Sequence, residues 1–282
     1  MKKRVVSVLL STCLVAGMLA GCGSKTADTT TTTAEETKED AESTDAADET
    51  VDADSDYEPV SITLNLERSG LGENVEYTIT KMPSAVVASG DQMADFFFDL
   101  GLQDQMVGYT KGFCWSTASE YPARDEVPQL MNPGEGLTNL SKEELLATGC
   151  DFLMGWDSTF SDKNFNKDFC EENGITMYFP YVCTDSATFE DLYKDYETLG
   201  NIFKVQELAA EKVQAMKDTL QEVQDALGDE AYENPVKVFA YDSGEDVPFT
   251  ACQGMPGDII KKAGGISIFD DIEAGWAKPS WE

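Results

Sequence analysis

The chain has 282 residues, 41% of them hydrophobic, and a formal net charge of −33 without a single histidine. It has three arginines, so it lacks the clustered basic side chains that neutralise phosphate, and this argues against nucleic-acid binding. The absence of histidine excludes histidine-based zinc sites and the Ser-His-Asp and Cys-His hydrolase sites.

Residues 1–22 predict a lipoprotein signal peptide. A basic start, Met1–Arg4, precedes a short apolar run, and Leu19-Ala20-Gly21-Cys22 resembles the bacterial lipobox. In that pattern a signal peptidase cleaves before Cys22, which then carries lipid. The apolar run is short for a membrane-spanning helix, the alternative interpretation, which needs about 20 residues. We therefore expect lipid anchoring at the extracytoplasmic face of the cell membrane.

Residues 23–58 are predicted to be a disordered tether. They consist mainly of Thr, Ala and acidic residues, with thirteen carboxylates and two lysines. Such a composition cannot bury enough apolar surface to offset the entropy lost on ordering.

Residues 59–200 predict a first α/β lobe. The alternation over Ser61–Thr80 is typical of a β-hairpin. After it, short apolar strands alternate with helices, which predicts a parallel sheet whose ligands bind beyond the carboxyl ends of its strands. The predicted strands are Ser84–Ser89, Met106–Thr110, Asp151–Trp156 and Ile175–Val182, and the helices are Gln92–Leu102, Ser141–Gly149 (with a Ser141/Glu144 capping box) and Phe165–Gly174.

Residues 201–228 predict one long helix, because apolar residues recur at spacings of three and four. We interpret it as a rigid link about 40 Å long rather than a coiled-coil segment. Residues 229–282 predict the start of a second α/β lobe, with strands Val236–Tyr241 and Ile266–Phe269 around helix Met255–Gly265. We expect this lobe to be truncated, since two strands and a helix bury too little core.

The cysteines do not predict a metal site. Apart from Cys13 and Cys22, five cysteines remain, none in a CxxC spacing, and we expect most of them to be small buried apolar residues. Neither a cofactor nor a catalytic residue is predicted.

Taken together, four stretches resemble the substrate-binding lipoproteins of iron-siderophore, haem and vitamin B12 ABC importers. That resemblance covers about residues 59–282 and implies two Rossmann-like lobes with parallel sheets, joined by one long α-helix. A departure is Thr148-Gly149-Cys150, where family members usually have Leu-Lys-Pro. The stretches are MPSAVVASGDQMADFFFDLGLQDQMVGYT, VPQLMNPGEGLTNLSKEELLATGCDFLMGW, CEENGITMYFP and GMPGDIIKKAGGISIFDDIEAGWAKPSWE.

The resemblance also implies candidate ligand-binding residues. Trp156 and Trp276 match positions where the vitamin B12-binding relative presents aromatic rings to its ligand, and we expect them to face each other across a cleft. Their structural alternative is packing in the core of either lobe. The full set of predicted ligand-binding residues is Tyr109, Trp115, Trp156, Tyr181, Tyr241 and Trp276.

Two lines of reasoning favour different ligands, so the identity of the ligand is left open. The resemblance implies an iron-siderophore complex, with a corrinoid or haem as the alternative. Relatives that bind anionic ferric catecholates supply several basic residues, whereas only Lys111 and Arg124 are expected near this cleft. That shortage favours a neutral or cationic apolar ligand.

The resemblance further implies delivery to an ABC permease and its ATPase. Glu143 matches the docking position of the first lobe, and Asp258 could replace the docking glutamate of the second, where Lys261 stands. An acidic residue in the first turn of a helix, such as Glu143, is also favoured by the helix dipole alone. Two other functions remain open: a haem relay or sensor lipoprotein without a permease, and, less favoured, an enzyme using a carboxylate pair such as Asp157 and Glu245.

Overall fold

A computed structural model describes residues 56–67, 70–110, 121–130 and 140–281. The signal peptide, Cys22 and nearly all of the predicted tether lie outside the described residues, as do Trp115 and Lys111. Within the described part of the chain, none of the helices combines the length and apolar character needed to cross a membrane.

The chain begins with the predicted β-hairpin. Strands β1 (Val60–Leu66) and β2 (Gly72–Ile79) pair antiparallel, with Leu64 opposite Val75. Alternation along β1 turns Ile62, Leu64 and Leu66 into the core and leaves the residues between them exposed. The hairpin prediction is confirmed.

A four-stranded parallel sheet forms the centre of the N-terminal half. Its strands are β3 (Val86–Ser89), β4 (Met106–Thr110), β5 (Phe152–Met154) and β6 (Thr176–Tyr178), in the order β4-β3-β5-β6. All three pairings are parallel, and β3 is buried along its whole length. Helices α1 (Asp91–Asp99), α2 (Lys142–Ala147) and α3 (Lys167–Glu172) connect the strands. The predicted alternation of strands and helices is therefore confirmed.

Aromatic rings fill the space between this sheet and the helices. Phe97 of α1, Phe152 of β5 and Phe203 contact one another edge to face, with ring centroids 5.5–6.4 Å apart. Tyr178 of β6 stacks on Phe152 at 5.8 Å. Cys150 and Cys170 are buried free thiols, as expected. This core packs against β5 and β6, and the segments that follow these two strands line the candidate site.

The predicted linking helix is shorter than expected. Two helices, α4 (Phe189–Ile202) and α5 (Gln206–Leu227), occupy this region, so Asn201 and Ile202 belong to α4. The chain breaks between them because Phe203 turns into the core and Lys204 adopts a positive φ of 59°. Helix α5 ends at Leu227, one residue before the predicted end. Its 22 residues span about 33 Å rather than about 40 Å.

The C-terminal half contains both kinds of strand pairing. After α6 (Asp229–Glu233), β7 (Val236–Val238) pairs in parallel with β10 (Gly265–Ser267). Strands β8 (Tyr241–Ser243), β9 (Phe249–Ala251) and β11 (Trp276–Ala277) form an antiparallel sheet, and α7 (Gly254–Lys262) follows β9. The parallel pair was predicted. The antiparallel sheet was not predicted, because β8 is exposed along its whole length and β11 has two residues, so neither shows an apolar pattern.

Candidate ligand-binding cleft

A groove of about 410 Å³ lies where the N-terminal half meets the C-terminal half. One side is formed by the segments that follow β5 and β6, at the carboxyl ends of the parallel strands, where ligands bind in such sheets. The other side is formed by the first turns of α7 and by the start of β11. The lining residues are Gln92, Met93, Phe96, Trp156, Asp157, Val182, Cys183, Thr184, Asp185, Gly254, Met255, Pro256, Ile259, Gly275 and Trp276.

The two tryptophans lie on opposite sides of this groove. Trp156 follows β5 and is half-buried, whereas Trp276 begins β11 and remains 43% exposed. Trp276 stacks on Phe249, with ring centroids 5.4 Å apart and planes at 27°. Because Phe249 holds the indole from one side, the groove offers a ligand an oriented aromatic surface.

The groove continues into an acidic pocket of about 450 Å³. The two cavities share Asp157, Cys183, Thr184 and Asp185. The acidic pocket is lined by four carboxylates, three from the N-terminal half and one from the C-terminal half, and no described lining residue of either cavity is a lysine or an arginine. The carboxylates are Glu67, Asp157, Asp185 and Glu273, and the other lining residues are Asn65, Phe179, Cys183, Thr184, Ser186 and Gln253.

Asp185 joins the two halves at the floor of the cleft. Its Oδ1 accepts a hydrogen bond from the backbone N–H of Gly275 at 3.3 Å, one residue before Trp276. Gly254, with φ of 63°, approaches so closely that a Cβ there would lie 2.7 Å from the carbonyl oxygen of Asp185. This close approach to Asp185 is possible because positions 254 and 275, both in the C-terminal half, are glycines.

The buried carboxylate of Asp195 binds the backbone of the segment that follows β6. Its carboxylate accepts hydrogen bonds from the Tyr178 hydroxyl at 2.8 Å and from the backbone N–H groups of Tyr181 and Val182, both at 2.9 Å. Burial raises the pKa of Asp195 to about 7, although these three donors lower it. Asp195 thereby positions Val182 and Cys183 on the groove wall. The sequence analysis did not identify Asp195. Its position four residues before Leu199 places a carboxylate on the apolar face of α4, and this pattern indicates a buried acidic residue.

The other predicted ligand-binding residues lie away from the groove lining. Tyr109 is buried against Phe98, with ring centroids 6.2 Å apart. Tyr181 is half-buried, and the Lys194 ammonium lies 3.6 Å from its ring centroid. Tyr241 is 52% exposed and packs beside Trp281. Trp115 lies outside the described residues. The structure thus brings together Trp156 and Trp276 from the predicted set.

Arg124 is committed to α1 rather than to the groove. Its guanidinium forms ion pairs with Asp95 and, at 3.8 Å, with Asp91, and it lies 5.6 Å from the centroid of the Phe98 ring. Burial raises the pKa of Asp95 even though Arg124 lowers it. The one arginine expected near the cleft is therefore already neutralised.

The two predicted docking acids have different surroundings. Glu143 lies exposed in the first turn of α2, beside the Ser141/Glu144 capping box, which is confirmed. Asp258 is half-buried on α7, and its Oδ2 accepts a hydrogen bond from the Phe189 backbone N–H at 2.9 Å. Asp258 therefore satisfies the N-terminus of α4 from the opposite half of the chain.

The described residues form a two-part α/β fold with a groove between the parts. A periplasmic binding protein from Veillonella parvula superimposes with a TM-score of 0.69 at 26% sequence identity, covering 79% of this chain and 73% of that chain. An ABC-type Fe3+-hydroxamate transport system from Saccharomonospora viridis gives 0.60 at 21% identity, covering 78% and 74%. The chain thus has the fold of periplasmic binding proteins.

An uncharacterised ABC transporter substrate-binding lipoprotein of Bacillus subtilis (strain 168), YvrC, is 26% identical over 225 residues, which are 80% of this chain and 59% of the relative. The chain spans about three fifths of the length of that relative. No family model matches the chain. These relatives are described as binding or transport proteins and not as enzymes.

Proposed function

We propose that this chain is the substrate-binding component of an ABC importer. In this proposal it is anchored by lipid on Cys22 to the extracytoplasmic face of the cell membrane, captures an iron-siderophore complex, and delivers it to a permease and its ATPase. The observation that carries the proposal is the groove between the halves, with Trp156 and Trp276 on its opposite sides, in a fold shared with periplasmic binding proteins.

The groove has the chemistry of a binding site for a large, partly apolar ligand. Most of its lining is apolar, and few polar groups are available to fix orientation, as in sites for small molecules generally. The tryptophan rings supply contact area that suits a macrocycle or a chelate at low entropic cost. Both halves contribute, so a bound ligand would bridge them.

A corrinoid or haem is the alternative cargo for the same groove. Haem held through its iron by a tyrosine would need that tyrosine in the groove, yet Tyr109 is buried and Tyr181 does not line the groove. This placement favours the siderophore over haem. A corrinoid needs only an aromatic surface, so it is retained as the alternative cargo. A relay or sensor lipoprotein without a permease would use the same groove, and it is distinguished by the absence of permease and ATPase genes beside its own.

An enzyme is less supported by the positions of the carboxylates. Asp157 lines the groove, but Glu245 is exposed, and its carbonyl oxygen accepts a hydrogen bond from the Trp281 indole N–H at 3.2 Å. Glu245 is not a lining residue of either cavity.

Delivery would use acidic residues on the surface of each half. Exposed Glu143 fits that role, since a charge at the rim of an interface steers encounter. Asp258 remains the candidate in the C-terminal half, with its bond to the Phe189 N–H as a second, structural role.

The experiment that tests the proposal is direct binding of candidate cargo to the purified protein. A ferric trihydroxamate, haemin and cyanocobalamin are offered separately, and binding is measured by calorimetry, with native mass spectrometry and visible absorption to identify the complex. We expect a one-to-one complex with the ferric trihydroxamate. Binding of cyanocobalamin or haemin instead would support the alternative cargo. A folded protein that binds none of the three would contradict the proposed function.

A further inference from the structure

Resting on the proposed function, we propose that Gln92 is a specificity-determining residue of the groove, and that its side chain accepts a hydrogen bond from an amide N–H at the periphery of the cargo. Gln92 lines the groove and its side-chain oxygen Oε1 is buried. Among the residues that the structure describes, this oxygen has no hydrogen-bond partner.

Gln92 lies at the edge of the sheet where ligands bind in parallel α/β folds. It belongs to the first turn of α1, close behind the carboxyl end of β3. The other two residues of α1 that line the groove, Met93 and Phe96, are apolar. Gln92 is therefore the residue through which α1 can offer a polar group to a ligand.

The carboxamide of Gln92 carries a buried oxygen on a half-buried residue. Removing an amide oxygen from water costs free energy unless a donor meets it, and most buried polar groups in proteins are paired. The terminal torsion of a glutamine side chain is soft, so the carboxamide can turn toward a ligand while α1 stays in place. A ligand N–H that donates to Oε1 removes the cost that the ligand-free protein carries.

The other side-chain oxygens of the groove already take part in hydrogen bonds within the chain. Asp157 and Asp185 accept hydrogen bonds from backbone N–H groups. The Thr184 hydroxyl donates to a backbone carbonyl oxygen at 3.0 Å. Gln92 is thus the oxygen-bearing side chain of the groove that has no partner among the described residues.

A hydrogen bond at Gln92 supplies a direction that the tryptophans lack. Stacking on Trp156 and Trp276 gives contact area, but a planar ligand can still rotate against the rings. A hydrogen bond from the wall fixes that rotation. Apolar sites obtain their specificity in this way from a small number of placed polar groups.

The chemistry of the candidate cargoes indicates which group meets Gln92. In a ferric trihydroxamate the hydroxamate oxygens bind iron and carry no proton, so the N–H groups of the linking amides remain as donors. A corrinoid also carries amide N–H groups at its periphery. Haem carries carboxylates there, which are acceptors when ionised and cannot pair with Oε1. Gln92 therefore favours an amide-bearing chelate over haem.

The first test compares matched ligands on the unaltered protein. One pair is a linear ferric trihydroxamate and the same complex with its amide N–H groups methylated. The second pair is cyanocobalamin and its analogue with methylated amides, and haemin is offered separately. Dissociation constants are measured by calorimetry. In the pair that binds, we expect the N–H ligand to bind about tenfold more tightly than the methylated one.

The variant Gln92→Met separates the hydrogen bond from the bulk of the added methyl groups. Methionine has nearly the length of glutamine but no amide, so the variant should bind the N–H ligand about tenfold more weakly and lose most of the preference within the pair. Urea unfolding of the ligand-free variant should show stability equal to or above that of the parent protein, because a buried oxygen without a partner is removed.

The matched control is Gln214→Met. Gln214 is exposed on α5 and does not line the groove, so this variant should change neither the affinity nor the preference.

Three results overturn the inference while leaving the proposed role in an ABC importer intact. They are equal binding of the N–H and methylated ligands by the parent protein, an unchanged affinity and preference in Gln92→Met, and binding of haemin alone among the probes. A folded protein that binds none of the probes overturns the inference together with the proposed function on which it rests.

Discussion

The backbone N–H of Gly275 donates a hydrogen bond to Oδ1 of Asp185, and this bond ties the segment after β6 to the segment that carries Trp276. Gly254 completes the contact, since its hypothetical Cβ would lie 2.7 Å from the Asp185 carbonyl oxygen and 3.3 Å from the Gly275 Cα. The cleft floor is therefore a site of close backbone approach between distant parts of the chain.

Gly254→Ala should destabilise the protein through this contact. Gly254 has φ of 63°, and Gly174 has φ of 67° with open space where its Cβ would be. Both alanine variants therefore pay the left-handed backbone strain of about 1–2 kcal/mol. Gly254→Ala should lose about a further 1–3 kcal/mol of unfolding free energy, because its Cβ meets backbone. Urea unfolding measures the loss of stability in both variants. Equal losses would show that the backbone around Asp185 and Gly275 shifts to accommodate the added Cβ at little cost.

Trp156→Ala and Trp276→Ala should each weaken cargo binding by about 1–3 kcal/mol, the scale of a lost buried aromatic contact. Trp281→Ala is the matched control, because Trp281 is 56% exposed, packs beside Phe239 and does not line the groove. Calorimetric titration with the cargo measures all three. Unchanged affinity in both groove variants, or an equal loss in Trp281→Ala, would contradict the assignment of the tryptophans.

The pKa of Asp195, raised to about 7, predicts a pH dependence of stability. In the unfolded chain an aspartate titrates near pH 4, so between about pH 4 and 7 the folded protein binds more protons than the unfolded one. Stability from this group is therefore present at low pH and is lost as pH rises through that window.

Asp195→Asn removes the titration and should flatten the pH dependence of unfolding between about pH 5 and 7 relative to the parent protein. The substitution should also lower the free energy of unfolding by about 1–3 kcal/mol. The NH2 group of the asparagine would face the Val182 N–H, and two donors cannot form a hydrogen bond with each other. Urea unfolding at several pH values checks both effects. Parallel pH profiles for the two proteins would contradict a raised pKa.

Glu143→Lys should slow cargo uptake through the permease and leave cargo binding to the isolated protein unchanged. A charge at an interface rim chiefly governs encounter rate and its salt dependence. Reconstituted vesicles measure uptake, and Glu222→Lys, also an exposed charge reversal on a helix, is the control. Normal uptake by Glu143→Lys would leave Glu143 as a residue that only favours the start of α2.

Substitutions of Asp258 can separate its two roles. Asp258→Ala removes the acceptor for the Phe189 N–H and should cost about 1 kcal/mol of stability, the scale of a lost helix cap. Asp258→Asn keeps an acceptor oxygen and removes the charge, so it should remain close to the parent in stability. If Asp258 docks the permease, uptake falls in both variants. Normal uptake by Asp258→Asn would assign Asp258 to helix capping alone.

The sequence by itself determined the features that depend on neighbouring residues. Alternation over Ser61–Thr80 predicted the hairpin, Ser141 with Glu144 predicted a cap, and the succession of strands and helices predicted the parallel sheet. These signals are readable because strand period, helix period and capping act over a few residues. The break at Lys204 was missed, since burial of Phe203 is decided by the distant core.

Only the tertiary structure decided which side chains share the cleft. It placed Trp156 and Trp276 on one groove, buried Tyr109 in the core, and brought Asp185 to Gly275 across 90 residues of sequence. The acidic pocket is likewise invisible in the sequence, because its carboxylates are spread from Glu67 to Glu273. Such contacts follow from how the sheet and helices pack, and packing depends on the whole chain rather than on any local pattern.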